Sequence, residues 1–338
     1  MFSDIAPISN SNVLVSNIDF DKNESSVGEK HFYAKFTKSS GESTDCIDTN
    51  LKYKFALESQ MLLSAAVNSV IDSSGEIIYL IGQSNTEKGF LAKHNRTSGE
   101  TSILSNFMTD SGINLEAPKG ISLSDDDKIL YLTDSNLGLL KIDLESQQSS
   151  VVSSSSVGGG AGLFTPTQLV INSAQTTAYM IGANGLAIYI VDLSTGVRST
   201  IQTGSGPSFG DLTDLVLSAD EATLYVIDRS ALMVLEVDIA TGIRSILSAP
   251  GTGTGTSFVT PHSINIDISN NRLFIGDTGF AGIFSVSLAS GTKGNRSILA
   301  SSSVGSGTNI QTPSSMNFDS STNKLIFFDE GVDAVLLV

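Results

Sequence analysis

Tryptophan is absent from this 338-residue chain, cysteine occurs once and histidine three times. The missing indole weakens any case for a sugar-stacking platform. A lone Cys46 excludes an internal disulfide framework. Three histidines, at positions 31, 94 and 262, are too dispersed for a three-ligand zinc site. No apolar run approaches the ~18 residues of a membrane-spanning helix. The opening "MFSDIAPISNSN" lacks both a basic and an apolar region, so a signal peptide is expected to be absent or already removed. Basic residues are also scarce, 19 against 35 acidic, for a net charge of −16. That charge repels nucleic-acid phosphates and anionic membranes, and no local basic patch offsets it.

What the chain has in plenty is repetition. "ILYLTDSN" (129–136) returns as "IIYLIGQSN" (77–85), "TAYMIGANG" (177–185), "TLYVIDRSA" (223–231), "RLFIGDTGF" (272–280) and "KLIFFDEGV" (324–332). The anchor column is Tyr79, Tyr131, Tyr179, Tyr225, Phe274 and Ile326, a recurrence of about 50 residues. Ahead of each anchor lie a short apolar strand and a polar turn, such as "PKGISLSDDDKIL" or "PHSINIDISNNRL". Behind it come a third strand ("IYIVDLSTG", "VLEVDIATG") and a fourth ("RSTIQ", "RSILS", "RSILA"), then a Gly/Ser loop. The apolar period is 2, which excludes a helical solenoid. Four short antiparallel strands per unit predict an all-β fold, a β-propeller of four-stranded antiparallel blades, six in number, with seven as the alternative.

The last unit ends in its third strand, "AVLLV" (334–338). Residues 1–55 are therefore expected to be an N-terminal β extension that supplies a closing strand, with the propeller over 56–338. Two donors fit. "NVLVSN" (12–17) has the pattern of "RSILSA", and "HFYAKFTKSSGESTDCI" (31–47) aligns without gaps on "GFLAKHNRTSGETSILS" (89–105). The second match keeps a degenerate seventh blade open.

Units such as "GTGTSFVTPHSINIDISNNRLFIGDTGFAGIFSVSL" resemble NHL-type repeats: a Gly-rich approach, Pro before an apolar strand, a turn, an "LYVTD"-like strand and a third strand ending near Asp and Gly. The resemblance covers about residues 60–338. It implies the six-bladed group that includes binding propellers of the TolB-like kind and gluconolactonase-like metal hydrolases. The fold does not choose among these.

In such a ring the first residues of the innermost strands and the turns after the second strands gather at one mouth of the central channel. The first set comprises Val67-Asn68, Lys119-Gly120, Thr167-Gln168, Thr213-Asp214, His262-Ser263 and Ser314-Ser315. The second is Gly82, Asp134, Gly182, Asp228, Asp277 and Asp329, with Arg229 alongside. Polar groups from distant segments meet there, so Lys119, Gln168, Asp214, Arg229, His262, Asp134 and Asp277 are the candidate ligand-binding residues. The Asp column could ring a cation, but capping of local turns explains it more simply. His262 with Asp214 could form a proton-transfer pair. The gluconolactonase resemblance implies a divalent cation held by acid and amide side chains, for which Asn68, Gln168 and Asp214 are the available candidates. The early inward Glu of that group has no counterpart, Glu116 lying just before its strand. The Gly-rich loops "SVGGGAGL" and "GTGTGTS" lack the Lys-Ser/Thr and the helix of a phosphate loop.

The expected function is non-catalytic recognition of a small polar ligand or a protein or peptide at the channel mouth, with no cofactor beyond a possible divalent cation. A divalent-metal lactonase or esterase, or a structural domain of a longer cell-surface protein, are the alternatives. Acidity and Ser/Thr/Gly loops suit a periplasmic, extracellular or cell-surface setting, and the chain is expected to be a monomer without nucleic-acid partners.

Overall fold

In the computed structural model the described residues are 29–34, 47–54, 66–83, 89–104, 113–201, 204–305, 308–332 and 334–338. The chain divides into two compact units, Met1–Leu57 and Glu58–Val338. In the first, β1 (Glu29–Ala34) and β2 (Ile47–Lys54) pair as an antiparallel hairpin. The proposed donor strand at 12–17 lies outside the described residues, as does most of 31–47.

The second unit holds six antiparallel sheets, each built in chain order. Blade 1 comprises β3 (Ala66–Ile71), β4 (Ile77–Gly82), β5 (Phe90–Asn95) and β6 (Thr101–Ile103). Blade 2 comprises β7 (Pro118–Leu123), β8 (Ile129–Asp134), β9 (Gly138–Asp143) and β10 (Gln148–Ser153). Blade 3 is β11 (Leu169–Ile171), β12 (Thr177–Gly182), β13 (Ala187–Asp192) and β14 (Arg198–Thr200). Blade 4 is β15 (Leu212–Leu217), β16 (Thr223–Asp228), β17 (Met233–Asp238) and β18 (Arg244–Ser248). Blade 5 is β19 (Pro261–Asp267), β20 (Arg272–Asp277), β21 (Gly282–Ser287) and β22 (Arg296–Ser301). Blade 6 has β23 (Pro313–Asp319), β24 (Lys324–Asp329) and β25 (Ala334–Leu337), with no fourth strand among the described residues. No helix occurs among the described residues.

Each innermost strand contacts the next around the ring, and β23 contacts β3. Six blades therefore close the circle, and the seven-blade alternative fails because blade 6 already abuts blade 1.

The double-sided apolar strands now have their reason. In β4, Ile78 and Leu80 pack toward blade 6, while Tyr79 and Ile81 pack toward blade 2. In β8, Leu130 and Leu132 face blade 1 and Tyr131 faces blade 3. Strand alternation sends consecutive side chains to opposite faces, and both faces here meet another sheet. Six such seams form the core. Each fully buried Leu or Ile contributes roughly 1.5–3 kcal/mol.

The reversals between first and second strands use one residue of positive φ per blade: Gly75, Asp127, Gln175, Glu221, Asn271 and Asn323. Polar side chains fold back onto these turns. Asp72 accepts the N–H groups of Glu76 and Ile77 at 2.9 Å each. Some turns also tie neighbouring blades: Ser73 N–H donates to Asp127 at 3.0 Å, and Ser173 N–H to Glu221 at 2.6 Å.

Candidate functional site

The innermost strands begin irregularly. Opposite their partners, one residue is skipped between Ala66 and Asn68, Pro118 and Gly120, Leu212 and Asp214, Pro261 and Ser263, and Pro313 and Ser315. These are β-bulges, and they place Val67, Lys119, Thr213, His262 and Ser314 outside the regular ladder. Bulges re-aim side chains and are common beside functional sites. Of the candidates read from sequence, Lys119 and His262 occupy this recurrent irregularity and Asp214 directly follows it.

Lys119 is half-buried and has no ion pair among the described residues. Its carbonyl accepts Asn68 Nδ2–H at 3.2 Å. Asn68 reaches past it to blade 3, donating to Gln168 Oε1. Gly120 makes that reach possible, since a Cβ there would lie 2.5 Å from the Thr167 carbonyl oxygen. Asn68 Oδ1 in turn accepts the Ser69 N–H at 2.7 Å and the Ser315 hydroxyl at 3.0 Å. Amide and hydroxyl groups of blades 6, 1, 2 and 3 are therefore already linked in one network.

Asp214 serves the other side of the ring. Its Oδ1 accepts Leu215 N–H and its Oδ2 accepts Ile264 N–H of blade 5, both at 2.9 Å. Burial pushes its carboxyl up to about 7, outweighing the two N–H donors that pull it down. Beside it, Thr213 Oγ1 is buried without a hydrogen-bond partner. Arg229 is held by Asp211 through Nε and Nη2, each 2.8 Å from Oδ2. His262 of blade 5 feels this pair. Burial lowers its pKa, Arg229 adds to the fall and Asp211 opposes it. The imidazole makes no hydrogen bond among the described residues and is neutral at pH 7. Asp211 escaped the sequence analysis, where Thr213 stood among the mouth-facing entries but not among the candidate ligand-binding residues. The step from Asp211 to the Arg229 turn was the available signal, both flanking the ends of one strand pair.

Asp134 and Asp277 need correction. Both are fully buried, and neither is available to a ligand. Asp134 Oδ2 accepts the N–H groups of Glu116 and Ala117 at 2.8 Å each, and its Oδ1 those of Asn136 and Leu137 at 2.9 and 3.2 Å. Asp277 accepts from Val259, Thr260 and Phe280 at 2.7, 2.8 and 2.9 Å. Asp228 and Asp329 repeat the pattern. In four blades the column staples the entering loop to the turn after the second strand. Capping of the local turn is half of that role. In blade 3, with Gly182, Thr165 and Asn184 bond each other instead.

The residues present do not fit the divalent cation that the gluconolactonase resemblance implies. Asn68 Oδ1 and Gln168 Oε1 each accept protein donors, and Asp214 bonds to neither residue. A hard cation requires several converging oxygens, and no three His, Cys, Asp or Glu side chains converge among the described residues. Glu116, the substitute for the missing inward Glu, accepts Asn136 Nδ2–H at 2.8 Å instead. Asp214 and His262 stand on adjacent blades but share no hydrogen bond. His94, on β5, is half-buried and bonded to Thr101 at 2.9 Å, away from this end of the ring.

Ring closure, inter-sheet seams and bulged inner strands define a six-bladed β-propeller. No protein-family model matches the chain, and no curated protein does. Solved structures do. An auxiliary nutrient-binding protein from Bacteroides thetaiotaomicron matches with TM-score 0.59 and 11% identity over 91% of this chain and 82% of that one. Hydrazine synthase of Kuenenia stuttgartiensis gives TM-score 0.55 and 12% identity over 81% and 95%. A chain of a nidogen/laminin complex gives 0.52 and 16% over 68% and 79%. At these identities the likeness is one of fold, shared by proteins of very different work.

Proposed function

We propose that this propeller is a recognition module whose ligand, a small polar molecule or an extended peptide, seats at the channel end marked by the bulges. One observation carries the reading: polar capacity left unused on the bulge column. Among the described residues Lys119 has no ion pair, His262 has no side-chain hydrogen bond, and Thr213 Oγ1 is buried without a partner. Native interiors satisfy their polar groups, so unspent donors on rigid, stapled strands favour an external partner. Arg229 and Asp214 supply charge and a titrating carboxyl beside them.

The reading extends to a propeller of the NHL-like kind, acting as a monomer in an exported or cell-surface setting. The repeat pattern supports the first part and the net charge of −16 the second. One structural neighbour is an auxiliary nutrient-binding protein, which accords with recognition of a small ligand.

The test is a thermal-shift screen with small polar metabolites and short peptides, followed by calorimetric titration of any hit. Lys119→Met, Thr213→Val and His262→Gln are each expected to weaken binding about tenfold or more, some 1.4 kcal/mol. Lys141→Met, on an outer strand, is expected to leave it unchanged. A hit indifferent to all three bulge variants, or no hit at all, sinks the proposal.

A further inference from the structure

Blades 1 and 4 each lay a matching row of side chains across their outer strands. In blade 1, Tyr79 of β4 stands opposite Lys93 of β5, and Lys93 opposite Ser102 of β6. In blade 4 the same register gives Tyr225, Glu236 and Ser245. Directly opposed residues on paired strands share a face. Tyr79 packs into the seam with blade 2, as Tyr225 packs into the seam with blade 5, so both rows face the next blade. Between blades 4 and 5 the charge is met: Lys293, in the turn between β21 and β22, places Nζ 2.7 Å from Glu236 Oε1. Between blades 1 and 2 the charge has the opposite sign. The turn between β9 and β10 offers only Gln147, and Lys93 has no ion pair among the described residues. A cavity of about 270 Å³, lined by both residues, opens there instead.

We infer that this seam is a second binding site, separate from the channel mouth, for a small carboxylate with a short aliphatic body. Lys93 supplies the counter-charge, and the Tyr79 and Ser102 hydroxyls supply donors from the same row. Tyr79 is 7% exposed, yet its hydroxyl makes no hydrogen bond among the described residues. A buried phenol ordinarily finds a partner. Leu104, Ile142 and Leu144 make the apolar wall. The cavity of about 270 Å³ equals the liquid share of roughly nine waters, room for a guest of about eight non-hydrogen atoms.

The protein's own carboxylates around Tyr79 and along the cavity are engaged elsewhere. Asp72 accepts the Glu76 and Ile77 N–H groups at 2.9 Å each and the Ser74 hydroxyl at 2.7 Å. Asp127 accepts the Ser73 N–H at 3.0 Å and the Ser73 hydroxyl. Burial, with these two carboxylates nearby, raises the Tyr79 phenol above its ordinary value, so it stays a donor at neutral pH. Asp143 accepts the N–H groups of Glu145 and Ser146 at 3.1 and 2.7 Å. Strand alternation puts it on the face of Lys141, two residues before it, and not on that of Ile142. The rows of blades 2 and 3 differ accordingly. Tyr131 stands opposite Lys141, which has Asp143 beside it, and Tyr179 opposite the apolar Ile190. Lys93 has no such neighbour, since Asn95 holds the matching position.

The experiment titrates the full chain with 4-methylpentanoate and, separately, with the neutral 4-methylpentanamide, followed by ligand-observed NMR. The inference expects saturable binding of the acid and about tenfold or weaker binding of the amide, which cannot pair with Lys93. Lys93→Met is expected to lose about tenfold or more, and Tyr79→Phe, which keeps the ring in the seam, about threefold. Lys141→Met, in the matching row one seam on, is expected to bind as the unmodified chain does. Circular dichroism checks that each variant folds, and the amide comparison stands whether or not Lys93→Met does. Absence of saturable binding, equal binding of acid and amide, or an acid indifferent to Lys93→Met overturns the inference. Binding of an acetylated glutamyl peptide in place of the free acid assigns the seam to a protein partner and overturns it too.

Discussion

Asp277 illustrates what a single residue contributes. Its carboxylate gathers three backbone N–H groups from two separate segments, and removing it leaves them buried and unpaired. Asp277→Ala is expected to cost about 2–4 kcal/mol, read from denaturant unfolding, because orphaned buried donors lose their full solvation. The column itself was visible in the sequence. The reach back over 17 or 18 residues was not, since backbone donors carry no sequence signature. Asp214 was legible as an inward carboxylate, but its raised pKa depends on packing against blade 5. With a folded value of about 7 against 3.8, the native state binds the proton more tightly than the unfolded chain. That contribution is present below 3.8 and is lost as pH rises to about 7, up to about 4 kcal/mol. His94 and His262, both lowered by burial, act with the opposite sign, losing stability as pH falls through 6.5. Stability measured across this range in Asp214→Asn is expected to lose the acid-favouring component and keep the histidine one.

At the scale of elements, the Gly-rich loops hold the main surprise. Their glycines imply close backbone approach. They run along the outer edge of the next blade, where Gly160 bridges to Arg198. The right-handed twist of each sheet carries the end of an outer strand to its neighbour's last turn, where Ser153 and Ser248 hydroxyls donate to the Gly196 and Gly294 carbonyls at 2.7 Å. There the loop wraps a buried arginine. Arg296 donates to the carbonyls of Thr256, Ala249 and Thr252 at 2.8, 3.1 and 3.0 Å and lies over the Phe258 ring. A charge held by carbonyl dipoles, one serine hydroxyl and an aromatic face, with no carboxylate among the described residues, could not be foreseen without knowing where the loop goes. Gly255, at φ +97°, has room for no Cβ, the Arg296 carbonyl oxygen lying 2.1 Å from that position, whereas Gly251, at φ +86°, faces open space. Gly251→Ala should cost only the left-handed penalty of roughly 1–2 kcal/mol. Gly255→Ala should cost measurably more in the same unfolding assay.

For the whole molecule, the repeat and the two-sided strands were enough to name the architecture, because a period of 2 with both faces apolar has few other solutions. Blade count was harder, since it rests on β23 meeting β3, a contact between segments far apart in sequence. Seams shared between neighbours tie the stability of each blade to the ring. Leu132→Ala, at the seam of blades 1 and 2, is expected to cost about 2–5 kcal/mol. Tyrosine fluorescence and far-ultraviolet dichroism should still report one coincident transition. A net charge of −16 adds self-repulsion that salt relieves, so the melting temperature is expected to climb from low to physiological ionic strength.

Among the described residues the arginine-wrapped loops occur on blades 3, 4 and 5, so this reinforcement follows a continuous arc. A circle strengthened over only half its circumference bends like a horseshoe, stiff at the back and compliant across the gap. Any widening of the bore to admit a bulky guest would then be taken up by blades 6, 1 and 2, while the wall that carries Asp214 and His262 keeps its shape.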